Sequence, residues 1–246
     1  MCCFSRKVDS VTNTNIFARA SKDGRQFLVY SMQFKAGEDL SMILPIPVPA
    51  ESKEDAVSFI NLEKYPKFFD ELKLGFPEEP SRGGLKDKDT YSLPPKKLVV
   101  VEVGSFVASF VPSIKDFDRL DEQFRLPAGV WDKLPAYKNF GFAVFKLKKG
   151  EQKVHPMAFE FPRANRRQLF FPTVHIHDGT VPAQAGFDHA LYCQTDGEDS
   201  SMWVESAQPA EMFMPNLEEA KGIIDPKGHA YRKIMKGRFD NKDVVI

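Results

Sequence analysis

Residues 15–34 read Asn15-Ile16-Phe17-Ala18-Arg19-Ala20-Ser21-Lys22-Asp23-Gly24-Arg25-Gln26-Phe27-Leu28-Val29-Tyr30-Ser31-Met32-Gln33-Phe34. Two apolar runs flank a polar segment that contains Asp-Gly, a favoured signal for the turn of a β-hairpin. In the second run Tyr30, Met32 and Phe34 alternate with polar residues, as one face of a half-buried strand should. A hairpin pairs its strands antiparallel, so this stretch predicts an antiparallel sheet at the centre of the chain.

The sequence on either side extends the reading. Ser41-Met42-Ile43-Leu44 runs into Pro45-Ile46-Pro47-Val48-Pro49. Alternate prolines leave no ladder donors, so that segment predicts an extended edge or a wall. Further strands are predicted at 98–103, 106–111, 140–147 and 154–161. A strand pair is predicted between 169–177 and 187–194, and a basic strand over 231–239. Helices are predicted at 51–62 with Ser52 as cap, at 67–72, from Ser113 to about Phe124, at 129–134 and at 217–221. Strands sit close together in pairs and no regular strand–helix alternation occurs. The class is therefore α+β: predominantly antiparallel β-sheets in a sandwich-like or mixed-sheet core, with short inserted helices. Residues 1–246 form one domain, and the Pro-, Gly- and charge-rich stretch 77–97 predicts a mobile loop. The 22 Phe residues suit a thick core between layers.

Composition narrows the function. The 34 basic and 34 acidic side chains give a formal net charge of +0. A protein that binds nucleic acid by neutralising phosphates needs a basic excess, so no nucleic-acid partner is expected. A hydrophobic fraction of 42% excludes a disordered chain. There is no apolar run of signal-peptide type and none of membrane-helix length. With three cysteines, an odd number, the expected location is a reducing cytoplasm.

Four of the five histidines, His155, His175, His177 and His189, fall within 35 residues of one another. On a strand, residues two apart share a face, so His175 and His177 would project together. The strand 187–194 would place His189 and Cys193 on a common face as well. Imidazoles with one thiol suit copper or zinc. The first expectation is thus a metal-binding protein, with a metalloenzyme as its more specific form, and with His175, His177 and His189 as ligands. His155, Cys193 or an N-terminal cysteine would supply a fourth, and the partner would be the metal or a small molecule. Asp178 and Asp188 face the other way and suit supporting roles. The loop Arg163-Ala164-Asn165-Arg166-Arg167 is a small basic turn that could meet an anion, although a solvated turn is the commoner use.

Cys2 gives the second expectation. Removal of Met1 would leave a thiol and a free amine on one residue, the logic of N-terminal nucleophile catalysis. Met1-Cys2 and Ile16-Phe17-Ala18-Arg19 with Asp23 resemble the start of choloylglycine-type N-terminal nucleophile hydrolases. That resemblance implies amide hydrolysis, with Cys2 as nucleophile supported by Arg19 and Asp23. Ala18 stands where that family has Gly. Separately, the Cys-containing start, the strand 15–20, the run Leu44-Pro45-Ile46-Pro47 and the strands within 140–161 loosely resemble an uncharacterised bacterial family that implies no function. The third expectation is a non-enzymatic interaction protein.

Overall fold

The computed structural model describes residues 3–76, 101–103, 106–153, 155–177, 179–195 and 202–246; the predicted loop 77–97 and Cys2 lie outside them. The expected hairpin is present. β2 (Ser10–Ala20) and β3 (Arg25–Ala36) pair antiparallel from Asn15 opposite Ser31 to Ala20 opposite Gln26. Asp23 and Gly24 carry φ of 56° and 73°, the left-handed conformations that make this pair a turn signal.

The hairpin lies inside an eight-stranded sheet. Its order is β13 (Val204–Glu205), β14 (Tyr231–Asp240), β12 (Gln184–Gln194), β2, β3, β10 (Met157–Pro162) and β5 (Ser58–Asn61), with β9 (Gly150–Lys153) also paired to β3. All these pairs are antiparallel except β2 with β12, which run parallel with Ile16 opposite Leu191. A five-stranded antiparallel sheet has the order β1 (Cys3–Phe4), β4 (Leu40–Ile46), β8 (Gly141–Leu147), β7 (Phe106–Val111) and β6 (Val101–Val103). A short pair, β11 (Phe170–Phe171) with β15 (Val244–Val245), completes the set. The protein is mostly β.

Alternation along the strands sorts side chains into layers. Leu28, Tyr30, Met32 and Phe34 of β3 enter a central cluster with Leu40, Met42 and Leu44 of β4. Val29 points the other way, into a second cluster with Phe68, Phe69 and Leu72. Ile43 of β4 likewise faces outward, toward Phe117, Val130 and Ile176. Two sheets therefore enclose the main core, and turns cover both outer faces. Much of the Phe surplus sits between the sheets, and the rest fills the two outer clusters. Phe145 of β8 lies 5.7 Å from Phe59 and 5.9 Å from Phe159, both on the opposite sheet, and 5.9 Å from Phe106.

Several predicted helices take other forms. Residues 51–62 form turns and the strand β5, not a helix. Glu51 has φ of 60°, which breaks a helix at its start, and Ser52 Oγ donates to the Pro49 carbonyl instead of capping. Phe59 then packs on the aromatic core as part of a sheet edge. From Ser113 the chain makes two 3-10 turns, Ile114–Arg119 and Glu122–Phe124, separated by extended Leu120 and Asp121. Ser113 Oγ donates to the Asp116 carboxylate, so no helical N–H is capped. The one α-helix among the described residues is α1 (Phe68–Lys73), shifted by one residue from the predicted 67–72.

Candidate functional site

The histidines reach their positions by a route that differs from the predicted strand pair. β12 pairs with β14 on one side and β2 on the other, so 172–177 cannot join it. That segment is held by side chains from the chain's last residues instead. Asp243 Oδ1 accepts the N–H groups of Thr173 (2.7 Å) and Val174 (3.0 Å), and its other oxygen accepts the Tyr137 hydroxyl (2.6 Å). Asn241 accepts the His175 N–H (2.7 Å) and donates to the carbonyls of His175 (3.0 Å) and Pro182 (2.9 Å). On the far side Ile176 bridges to Cys3, with its carbonyl accepting the Phe4 N–H. These clamps satisfy a backbone that has no strand partner of ordinary length. Asn241→Ala removes three such bonds and is expected to lower stability by about 1–3 kcal/mol, measured by urea unfolding.

This arrangement does bring three histidines together. The rings of His175 and His189 lie 5.1 Å apart, and those of His175 and His177 lie 5.5 Å apart. Phe187 packs 4.2 Å from His175 and 5.1 Å from His189, and Phe4 packs 5.8 Å from His177. His175 and His189 are buried. Burial is the main force that keeps them neutral, reinforced by neighbouring positive groups that include His177. It holds His175 down at about 3 and lowers His189 as well.

The hydrogen-bond network assigns the ring protons. His189 Nδ1 accepts the Asp188 N–H (3.2 Å), so a neutral His189 carries its proton on Nε2. His175 Nδ1 lies 3.1 Å from the Thr173 carbonyl and must carry the proton there. That leaves His175 Nε2 buried and without a well-aligned hydrogen bond, although the Gly186 backbone also lies near the ring. His175 can thus offer a lone pair, whereas His189 can offer one only by giving up its bond to Asp188.

Two of the other expected ligands lie elsewhere. His155 stacks on Phe106 at 4.1 Å and lines a separate cavity of about 130 Å³ that also borders Asp70 and Lys73. Cys193 shares a face of β12 with His189, but four residues along a strand span roughly 13 Å. A shared face is not a shared point. The Cys193 thiol lies in the central core, where burial pushes it up to about 12. A thiol held protonated makes a poor metal ligand at neutral pH. Among the described residues, no group of three or more His, Cys, Asp or Glu side chains is arranged to hold a metal ion.

The residues suggested by the hydrolase resemblance are engaged structurally. Arg19 donates to the carbonyls of Ile223 (2.6 Å) and Gly222 (2.5 Å), and Asp23 forms the hairpin turn. Asp188, expected in a supporting role, accepts the N–H of Asn13 (2.8 Å), a residue with φ of 50° at the bulge of β2. Asn241 and Asp243 carry no motif that marks them from sequence.

These features define a mostly-β protein with two packed sheets and a buried histidine cluster. No family model and no curated protein matches the chain. Among solved structures it is similar to the crystal structure of baculovirus P35, with a TM-score of 0.50 and 14% identity over 99% of this chain and 98% of that one. A mutated baculovirus P35 after caspase cleavage matches at a TM-score of 0.47, with 15% identity over 95% of this chain and 99% of that one. P35 in the caspase-8/P35 complex matches at 0.41, with 15% identity over 95% of each chain. At such identity the first likeness establishes a shared fold. No described helix is long and apolar enough to cross a membrane.

Proposed function

We propose that this chain is a non-enzymatic interaction protein whose partner is another protein, with a protease the first class to test. The observation that carries the reading is the correspondence of fold with baculovirus P35 along nearly the whole of both chains. The other two P35 structures are of that protein after caspase cleavage and in complex with caspase-8. The histidines support the reading from another side, since His175 and His189 sit in an aromatic pocket, bonded to backbone, away from solvent. The test is incubation of the intact protein with caspase-8 and a panel of other cysteine proteases. The expected result is a complex that survives gel filtration and a fall in peptide turnover by at least one protease. Unchanged turnover and no complex across the panel would falsify the proposal.

A second reading places copper or zinc at His175, His177 and His189. It is favoured by the His175 Nε2, which has no well-aligned hydrogen bond, and by ring spacings close to the ~5 Å that metal–nitrogen bonds near 2.1 Å allow. Against it stand the bond from Asp188 to His189 Nδ1 and the absence, among the described residues, of three ligating side chains arranged to hold a metal ion. Elemental analysis of untagged protein separates the readings. Near-stoichiometric metal that disappears in His175→Ala/His177→Ala supports the second, and trace metal only removes it.

A further inference from the structure

A cleft of about 610 Å³ opens at the turn end of the β2–β3 hairpin, well within the size of small-molecule sites. One wall is the loop that follows β10, with Arg163, Arg166 and Arg167. The other includes Arg19, Lys227 and His229. The sequence had marked only the arginine loop, because Arg19 and Lys227 reach the same space through folding alone.

Both walls are fixed. The Arg163 N–H and Nε donate to the Gly24 carbonyl at 3.1 and 3.3 Å, and its Nη1 donates to the Gln168 carbonyl at 3.0 Å. Asn165 closes the loop by accepting the Arg167 N–H (3.1 Å) and donating to Gln168 Oε1 (2.9 Å). Arg166 lies across the hairpin turn, its side chain against Gly24, whose φ of 73° favours glycine there. Opposite, the Gln194 amide ties together Asp225 and Gly228.

Among the described residues the charge in the cleft is unbalanced: five permanent cations, Arg19, Arg163, Arg166, Arg167 and Lys227, face two carboxylate side chains, Glu205 and Asp225. The end of Ile246 adds at most one carboxylate more. Glu205 is turned to His229 (3.6 Å) and the Tyr231 hydroxyl (3.2 Å). Among the described residues no carboxylate forms an ion pair with Arg163, Arg166, Arg167 or Lys227. The bonds of Arg163 go to carbonyls, which satisfy its donors without cancelling its charge. Burial and the adjacent Arg166 accordingly lower the affinity of Arg163 for its proton. Guanidinium forks present paired donors matched to phosphate oxygens, and Lys227 adds a point charge.

We infer that this cleft binds a small molecule carrying two or more phosphate groups, held mainly by Arg163, Arg166 and Arg167 with Lys227 opposite. The site lies apart from the histidine cluster and does not depend on a protein partner. Tripolyphosphate is the probe, titrated calorimetrically into the intact protein at low and at physiological ionic strength. Saturable one-site binding is expected. Arg166→Ala/Arg167→Ala should weaken it by about 10-fold or more, the equivalent of losing one charged hydrogen bond. Both side chains are exposed, so folding should survive, and circular dichroism checks it. Lys148→Ala/Lys149→Ala alters a comparable charge pair next to β9, which pairs with the opposite end of β3, and should leave affinity within about 2-fold. Absence of saturable binding overturns the proposal. So does equal weakening by the two double variants, which would indicate diffuse attraction. Citrate binding as tightly as tripolyphosphate overturns the phosphate assignment.

Discussion

Phe145→Ala is expected to destabilise the protein by about 3–5 kcal/mol, a large share of the ~5–15 kcal/mol typical of a domain. Phe145 is fully buried at the centre of the aromatic contacts between the sheets, so truncation leaves a cavity lined by Phe59, Phe106 and Phe159. Those neighbours belong to three strands, and backbone pairing limits how far they can collapse into the space. Phe145→Leu keeps much of the volume and should cost about 1–2 kcal/mol. Urea unfolding with an unchanged m-value provides the measurement. A loss below about 1 kcal/mol for the alanine variant would show that the sheets close over the gap.

The same packing explains what could be read in advance. The β2–β3 hairpin was legible because Asp23-Gly24 is a local instruction, and the antiparallel majority followed from strands placed close in sequence. The parallel pairing of β2 with β12 joins residues more than 170 apart, and neither strand carries a local mark of its partner. Residues 51–62 have apolar spacing that suits a helix, but a positive φ at Glu51 and the fit of Phe59 against Phe145 and Phe159 favour a sheet edge. For the site, side-chain alternation rightly grouped His175 with His177. It could not tell a shared face from a shared point, which is why Cys193 and His155 joined the expected ligand set. The clamps at Asn241 and Asp243 were invisible because their partners lie 59 to 106 residues away in sequence.

Acidification should weaken the fold through the histidine cluster. An unfolded histidine takes up its proton near pH 6.5. In the folded protein burial holds His175 neutral down to about pH 3, and His189 is lowered too. Below pH 6.5 the unfolded chain therefore binds more protons than the native one, so stability rises with pH across this window. It is complete above about pH 6.5 and is lost progressively as pH falls, by about 1.4 kcal/mol per pH unit for each ring. The two rings together predict a loss of roughly 3–4 kcal/mol between pH 6.5 and 5. His155, also lowered by burial, acts in the same direction. Asp243 acts in the opposite sense, because burial raises its carboxyl and a native state that keeps this proton gains as pH falls toward 3.8. As one group against two buried rings, it softens the loss without reversing it. Urea unfolding at pH 7, 6 and 5 gives the proton difference directly from the slope. His175→Gln/His189→Gln should flatten that slope by about two protons, and a slope equal to that of the parent protein would place the acid sensitivity elsewhere. A flattened slope would establish that the buried rings are neutral in the native state, which a tightly packed aromatic pocket requires and a charged histidine pair this close would not allow.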